Sequence, residues 1–151
     1  MDQTAQSRNT RNIDALLAQY SESHRNPTNE LIHCVCVPVI VFSLLGLLWS
    51  VHPLAALAVS AWALWYYFRL SPPFALGMLA MTLAMLGILA IMPRYTVLPV
   101  SIVVFIVAWM GQFIGHQIEG KKPSFFDDLR FLLIGPLFVL SFLYRRLRVA
   151  Y

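Results

Sequence analysis

Apolar residues fill long stretches of this chain, and the polar residues are confined to the segments between them. The stretches 34–51, 53–68, 74–92 and 97–115 contain no Asp, Glu, Lys or Arg. Each is close to the roughly 20 apolar residues that a helix needs to cross a bilayer. The pattern therefore predicts four membrane-spanning helices, with short connections at His52, Pro72 and Arg94.

Two further segments are apolar in a different way. Near the N-terminus, apolar residues recur at helical spacing, at Ile13, Leu16, Leu17 and Tyr20, which predicts an amphipathic helix after a flexible tail over 1–11. The apolar segment 131–144 is short and is broken by Gly135-Pro136, which favours a re-entrant segment over a crossing. We expect residues 1–151 to form a single integral membrane domain of the all-α class: four spans, the re-entrant fifth segment and the N-terminal helix.

The composition supports membrane residence and excludes other classes. Hydrophobic residues make up 59% of the chain and charged residues 12%, against roughly 25% charged in soluble domains. The net charge of +4 comes from basic residues that flank apolar spans, a pattern typical of topology and lipid contact and not of nucleic-acid binding. If the fifth segment returns, ten of the 11 basic residues share the N-terminal face, all but Arg94. That face is predicted to be cytoplasmic, at the inner membrane of a bacterium or the endoplasmic reticulum of a eukaryote.

Topology brings three histidines to that face. His33 begins the first span and His116 ends the fourth, so an even number of crossings returns the chain to the same side. His24 precedes the first span, and Glu119 lies about one helical turn after His116. Imidazole and carboxylate donors on facing helices are typical of iron or zinc sites in helical bundles. We therefore predict a metal site built from His24, His33, His116 and Glu119.

Neighbouring polar residues suit supporting roles in such a site. Asn29 and Gln112 each lie one turn before a histidine and are placed to orient its ring. Basic residues at the same face are candidates for holding an acidic group of a substrate: Arg25, Lys121 and Lys122.

Other interpretations of the histidines stay open at this point. Interfacial histidines also contact lipid headgroups, so a non-catalytic lipid-binding or assembly module fits the pattern. A small b-type haem protein with His33 and His116 as axial ligands fits as well. His52 lies at the opposite face beside a proline, and no role is assigned to it. Cys34 and Cys36 point apart on a helix and are predicted to be free thiols.

Two blocks carry a resemblance to a known family. The first is Tyr20-Ser-Glu-Ser-His24-Arg-Asn-Pro27-Thr-Asn29-Glu-Leu-Ile-His33 followed by Pro38, and the second is Gln112-Phe-Ile-Gly115-His116-Gln-Ile-Glu119-Gly120-Lys-Lys-Pro123. Over about 15–142 the chain resembles the membrane-embedded 2-hydroxy fatty acid dioxygenases. The resemblance implies an Fe(II) enzyme that converts a 2-hydroxy fatty acid and O2 into the acid one carbon shorter, CO2 and water. It also implies that His24, His33 and His116 hold the iron, with Glu119 as a ligand or as a partner of one.

Overall fold

The computed structural model describes residues 13–15, 17, 18, 21, 25–120 and 132–148. Within these residues the chain forms helices and no strand, which confirms the all-α class. The helices are α1 (Pro27–Val51), α2 (Pro53–Leu70), α3 (Pro72–Ile91), α4 (Arg94–Glu119) and α5 (Ile134–Leu147).

Local signals at the helix ends explain these boundaries. Each of α1, α2 and α3 begins with a proline, whose fixed φ suits the first helical position. The residue before the proline caps two of them: the Asn26 side chain accepts a hydrogen bond from Thr28 N at 2.9 Å, and His52 Nδ1 accepts one from Leu54 N at 3.2 Å. Gly120 ends α4 at a φ of 74°, a left-handed conformation that glycine adopts without strain.

Three of the helices are long and apolar enough to cross a membrane: α1, α3 and α4. The prediction of four spans is therefore confirmed for three. The remaining predicted span, 53–68, does form a helix, α2, but α2 does not belong to this set. Its second half carries Trp62, Trp65 and Arg69 among other polar-tipped residues, which make it less apolar than its neighbours.

The most extensive helix pair is α1 with α4, and small residues let the two backbones approach. A Cβ added at Gly46 would meet the Ser101 hydroxyl, and one added at Gly111 would lie 2.6 Å from Cys36 Sγ. The later of these two positions in α4 thus faces the earlier position in α1, so the two helices are antiparallel. Gly111 and Gly115 form the Gly-x-x-x-Gly spacing that is typical of closely packed membrane helices.

Helix α5 runs from the interior of the bundle back to one end. Leu132, just before it, packs against the buried cluster around Trp109, and the Tyr67 hydroxyl donates to Leu133 O at 2.8 Å. At the other end of α5 the Tyr144 hydroxyl donates to Pro73 O at 2.7 Å, beside the start of α3. Gly135-Pro136, predicted to break this segment, lies instead in the first turn of α5.

The described residues of the N-terminal segment are helical, and their buried apolar side chains lie on one side of the helix. Ile13 and Leu17 are buried in a core cluster with Tyr67 and Phe74, whereas Asp14 is exposed. The amphipathic helix predicted here is thus confirmed at these positions, and it packs on the bundle. Leu16, Tyr20 and the predicted tail 1–11 lie outside the described residues.

Candidate functional site

His33 and His116 come together in the interior of the α1–α4 pair. Their ring centroids are 5.1 Å apart and the rings meet edge to face at 82°. His33 is 1% exposed and His116 is 5% exposed, so neither ring is placed to serve a lipid headgroup. The structure therefore brings together two residues that are 83 positions apart in sequence, as the topology argument predicts. Their role as metal ligands stays a prediction.

The contact between His33 and Asn29 fixes which ring nitrogen carries a proton. His33 Nδ1 lies 3.0 Å from the backbone oxygen of Asn29, one turn earlier in α1. A carbonyl oxygen only accepts, so Nδ1 is the donor and carries the hydrogen. In neutral His33 the lone pair is then on Nε2. Fixing the tautomer through the other ring nitrogen is how proteins commonly prepare a histidine to bind a metal.

Glu119 joins the end of α4 to the start of α1. Its Oε1 accepts from the backbone nitrogen of Arg25 at 2.9 Å. Its Oε2 accepts from Asn26 N at 2.9 Å and from the Asn29 side-chain amide at 3.1 Å. A carboxylate beside the first turn of a helix also interacts favourably with the helix dipole. These contacts make Glu119 a clamp that positions Asn29 and, through it, His33.

The interior around the rings is shaped by two more residues of α4. Gln112 is 3% exposed and lies one turn before His116, where it was predicted to support the ring. Gly115 faces α1 so closely that an added Cβ would meet the Asn29 side-chain oxygen and would lie 3.4 Å from His33 Cε1. The sequence analysis did not single out Gly115, although its Gly-x-x-x-Gly spacing with Gly111 was a visible signal.

The other predicted site residues either lie outside the described residues or make no described side-chain contact with the ring pair. His24, Lys121 and Lys122 lie outside the described residues; Arg25 contributes its backbone nitrogen, as above, and is exposed. Over 25–120 and 132–148, no three His, Cys, Asp or Glu side chains converge as a metal site requires. His24 immediately precedes Arg25 in the chain. His52, to which the sequence analysis assigns no role, is exposed and caps α2.

The ring geometry also bears on the haem interpretation. Axial ligands of a haem lie on opposite faces of the porphyrin, which separates their rings by the thickness of the macrocycle and two metal–nitrogen bonds. Rings in direct edge-to-face contact at 5.1 Å leave no room for a porphyrin between them. The arrangement instead presents two imidazoles side by side, which suits a single small metal ion.

Together these features define a protein whose described residues are helical, with three helices long and apolar enough to cross a membrane and a buried histidine pair near one end of the bundle. The chain belongs to the 2-hydroxy-palmitic acid dioxygenase Mpo1-like family, whose family model matches residues 10–147. It is similar to the 2-hydroxy-palmitic acid dioxygenase MPO1 of Saccharomyces cerevisiae, with 30% identity over 139 residues that cover 85% of this chain and 78% of the yeast protein. No solved structure matches the chain.

Proposed function

We propose that this protein is an Fe(II)-dependent dioxygenase that shortens 2-hydroxy fatty acids by one carbon. The observation that carries the proposal is the buried contact between His33 and His116 in a chain of this family. In the reaction, R–CH(OH)–COOH and O2 give R–COOH, CO2 and H2O. The substrate supplies all four electrons that reduce O2, so the balance needs no further reductant.

The donor set fits iron. In this proposal His33 and His116 hold the metal from two facing helices, and His24, next to the clamped residue Arg25, supplies a third nitrogen. Bound Fe(II) would offer open positions to a hydroxy acid and to O2, as in oxygenases with few protein ligands. Glu119 accepts hydrogen bonds from residues 25, 26 and 29 at the start of α1, so we assign it the role of clamp.

The chain's own residues do three things in this scheme. The Asn29 carbonyl holds His33 Nδ1–H and thereby keeps the Nε2 lone pair directed away from the α1 backbone. Burial of both rings keeps bulk water from the reacting atoms. A cationic side chain among Arg25, Lys121 and Lys122 holds the substrate carboxylate, while the apolar helices admit its tail from the bilayer.

We propose four crossings, and the same contact supports them. His33 lies near the start of α1 and His116 near the end of α4, yet the rings touch. With α1, α3 and α4 as spans and only short connections between successive helices, this contact is expected if α2 also returns the chain across the membrane. Its 18 residues extend about 27 Å, close to the roughly 30 Å hydrocarbon core.

We propose an orientation on the basis of the basic residues. The end of α5 lies beside the start of α3, so the tail arginines share the face of the histidine site. Among the basic residues that the structure describes, all but Arg94 then lie on that face, which we assign to the cytoplasm. The compartment is the inner membrane in a bacterium or the endoplasmic reticulum in a eukaryote.

The test is iron content and turnover of the detergent-purified protein supplied with Fe(II) under anaerobic conditions. Wild type and His52→Ala should bind stoichiometric non-haem iron and convert 2-hydroxypalmitate with O2 to the acid one carbon shorter. His33→Ala and His116→Ala should lose both properties while keeping wild-type helix content. Normal turnover in either variant would refute the site, and wild type that binds no iron would leave a non-catalytic lipid-binding module.

A further inference from the structure

A cavity of about 110 Å³ lies in the bundle at a greater depth than the histidine pair. Helices α1, α2 and α3 and the segment that leads into α5 form its walls. The wall is almost entirely apolar and includes Val41, Leu44, Leu48, Leu64, Met78 and Pro136. None of these residues belongs to the site described above, so the cavity has no part in holding the rings.

The cavity and His33 lie on the same face of α1. Leu44 and Leu48, which line the cavity, follow His33 at i+11 and i+15. Buried Val37 lies between His33 and these two leucines, at i+4 from His33. These spacings return to one face of a helix with 3.6 residues per turn. The cavity therefore lies on the same side of α1 as His33, deeper along the helix.

The depth of the cavity matches the length of a long acyl chain. Val41 and Leu48 bound it along α1, eight and 15 residues from His33, or about 12 Å and 22 Å along the axis. One leaflet of acyl tails fills half of the roughly 30 Å hydrocarbon core, or about 15 Å. A fatty acid whose carboxylate end lies at His33 thus places its methyl end within the cavity.

Small residues of α2 leave this space open. Ser60 and Ala63 lie one turn apart in the cavity wall, where larger side chains would occupy the volume. Val59, also in the wall, is 45% exposed and faces the surface that contacts lipid. The cavity is therefore accessible from the hydrocarbon region. An engineered apolar cavity of similar size, about 150 Å³, binds benzene, so this one accommodates the last few carbons of a tail.

We propose that this cavity receives the methyl end of the substrate's acyl tail and sets the chain-length preference, with Ala63 and Leu44 as determining residues. The inference rests on the proposed function, because it takes the carboxylate end of the substrate to be held at the histidine pair. It assigns the cavity to substrate and not to a resident membrane lipid.

The first test compares chain-length profiles, as kcat/KM for saturated 2-hydroxy acids of ten to eighteen carbons. Ala63→Leu should lower the value for the longest acids relative to the shortest by about tenfold or more, the effect of a few misplaced methylenes in an apolar pocket. Leu44→Ala should shift the optimum to longer acids. Ala61→Leu, which makes the same change at an exposed position of α2, should keep the wild-type profile. An unchanged profile in both cavity variants would overturn the proposal.

The second test is independent of turnover. A 2-hydroxy fatty acid with a diazirine near its methyl end is photolysed with the protein without O2, and the adducts are mapped by mass spectrometry. Adducts on the cavity walls, lost in Ala63→Leu and retained in Ala61→Leu, support the proposal. If such adducts form but wild type turns over no hydroxy acid, the proposed function fails and the tail site stands. If wild type turns over hydroxy acids but adducts form only on lipid-facing residues, the tail site fails and the proposed function stands. The same holds if co-purifying phospholipid fills the cavity and excludes the probe.

Discussion

The α1–α4 pair and the α2–α3 pair are both built from largely apolar helices, but they are packed in different ways. Glycines bring α1 and α4 close together, and polar side chains such as Asn29 and His33 are buried between them. The α2–α3 pair instead buries large residues, Tyr67 and Phe74 among them, and exposes Trp62. Close approach is what allows short polar side chains from two helices to meet, so the first pair carries the site and the second forms an apolar wall.

The largest expected effect comes from Gly115→Ala in the close pair. The new Cβ would meet the Asn29 side-chain oxygen, and Asn29 is buried and bonded to Glu119, so it has little room to withdraw. We expect iron affinity to fall about tenfold or more and the free energy of unfolding to fall about 1–3 kcal/mol. Iron titration and denaturation in detergent measure both. Gly87→Ala is the control, because nothing lies within 4 Å of its added Cβ; equal behaviour of the two variants would contradict the close-packing argument.

Glu119→Gln should weaken the site without removing a ligand. The amide has one acceptor oxygen, and its NH2 group would face backbone donors now bound by the carboxylate. We expect iron affinity to fall about tenfold, with partial recovery in Glu119→Asp. Glu30→Gln makes the same change of charge in the first turn of α1 and should match wild type. Complete loss of iron in Glu119→Gln, with no recovery in Glu119→Asp, would indicate that Glu119 is itself a ligand.

Tyr144→Phe probes the packing of α5 on the second pair. The variant loses the hydrogen bond to Pro73 O but keeps the stacked contact with Phe74, whose ring centroid is 5.4 Å from that of Tyr144. The free energy of unfolding should fall by about 1 kcal/mol, with iron content and turnover unchanged. A loss of iron here would show that the wall and the site are energetically coupled.

The smallest effect is expected for His52→Ala, at the opposite end of the bundle from the site. The variant removes the cap that accepts a hydrogen bond from Leu54 N, a loss of about 0.5 kcal/mol at an exposed helix end. Its iron content and turnover should equal those of wild type. A marked loss of activity would show that this end of the bundle also contributes to the reaction.

Much of this arrangement could be predicted from the sequence because it rests on local signals. The Asn26-Pro27 pair predicts the start of α1, and the alternation of apolar stretches and turns predicts that His33 and His116 share a face. The span predicted over 53–68 forms a helix, but its aromatic and basic residues make it less apolar than the other three spans.

Other features could not be read from residue types. Glu119 is predicted from the sequence as a ligand or as a partner of one, which stays a prediction, and its hydrogen bonds to the backbone nitrogens of Arg25 and Asn26 are a feature that no side-chain pattern displays. The cavity depends on gaps between side chains of three helices. Only the packed structure reveals it, because Ser60 and Ala63 look like ordinary small residues in the sequence.

The clamp at Glu119 has a consequence for biosynthesis. Its hydrogen bonds join residues separated by 94, 93 and 90 positions, and long-range contacts of this kind form late in folding. A nascent chain that has inserted only α1 holds His33 without the partners that position it. The ribosome must therefore release almost the whole chain before the two halves of the site can meet, so in the proposed enzyme iron loading would follow membrane insertion.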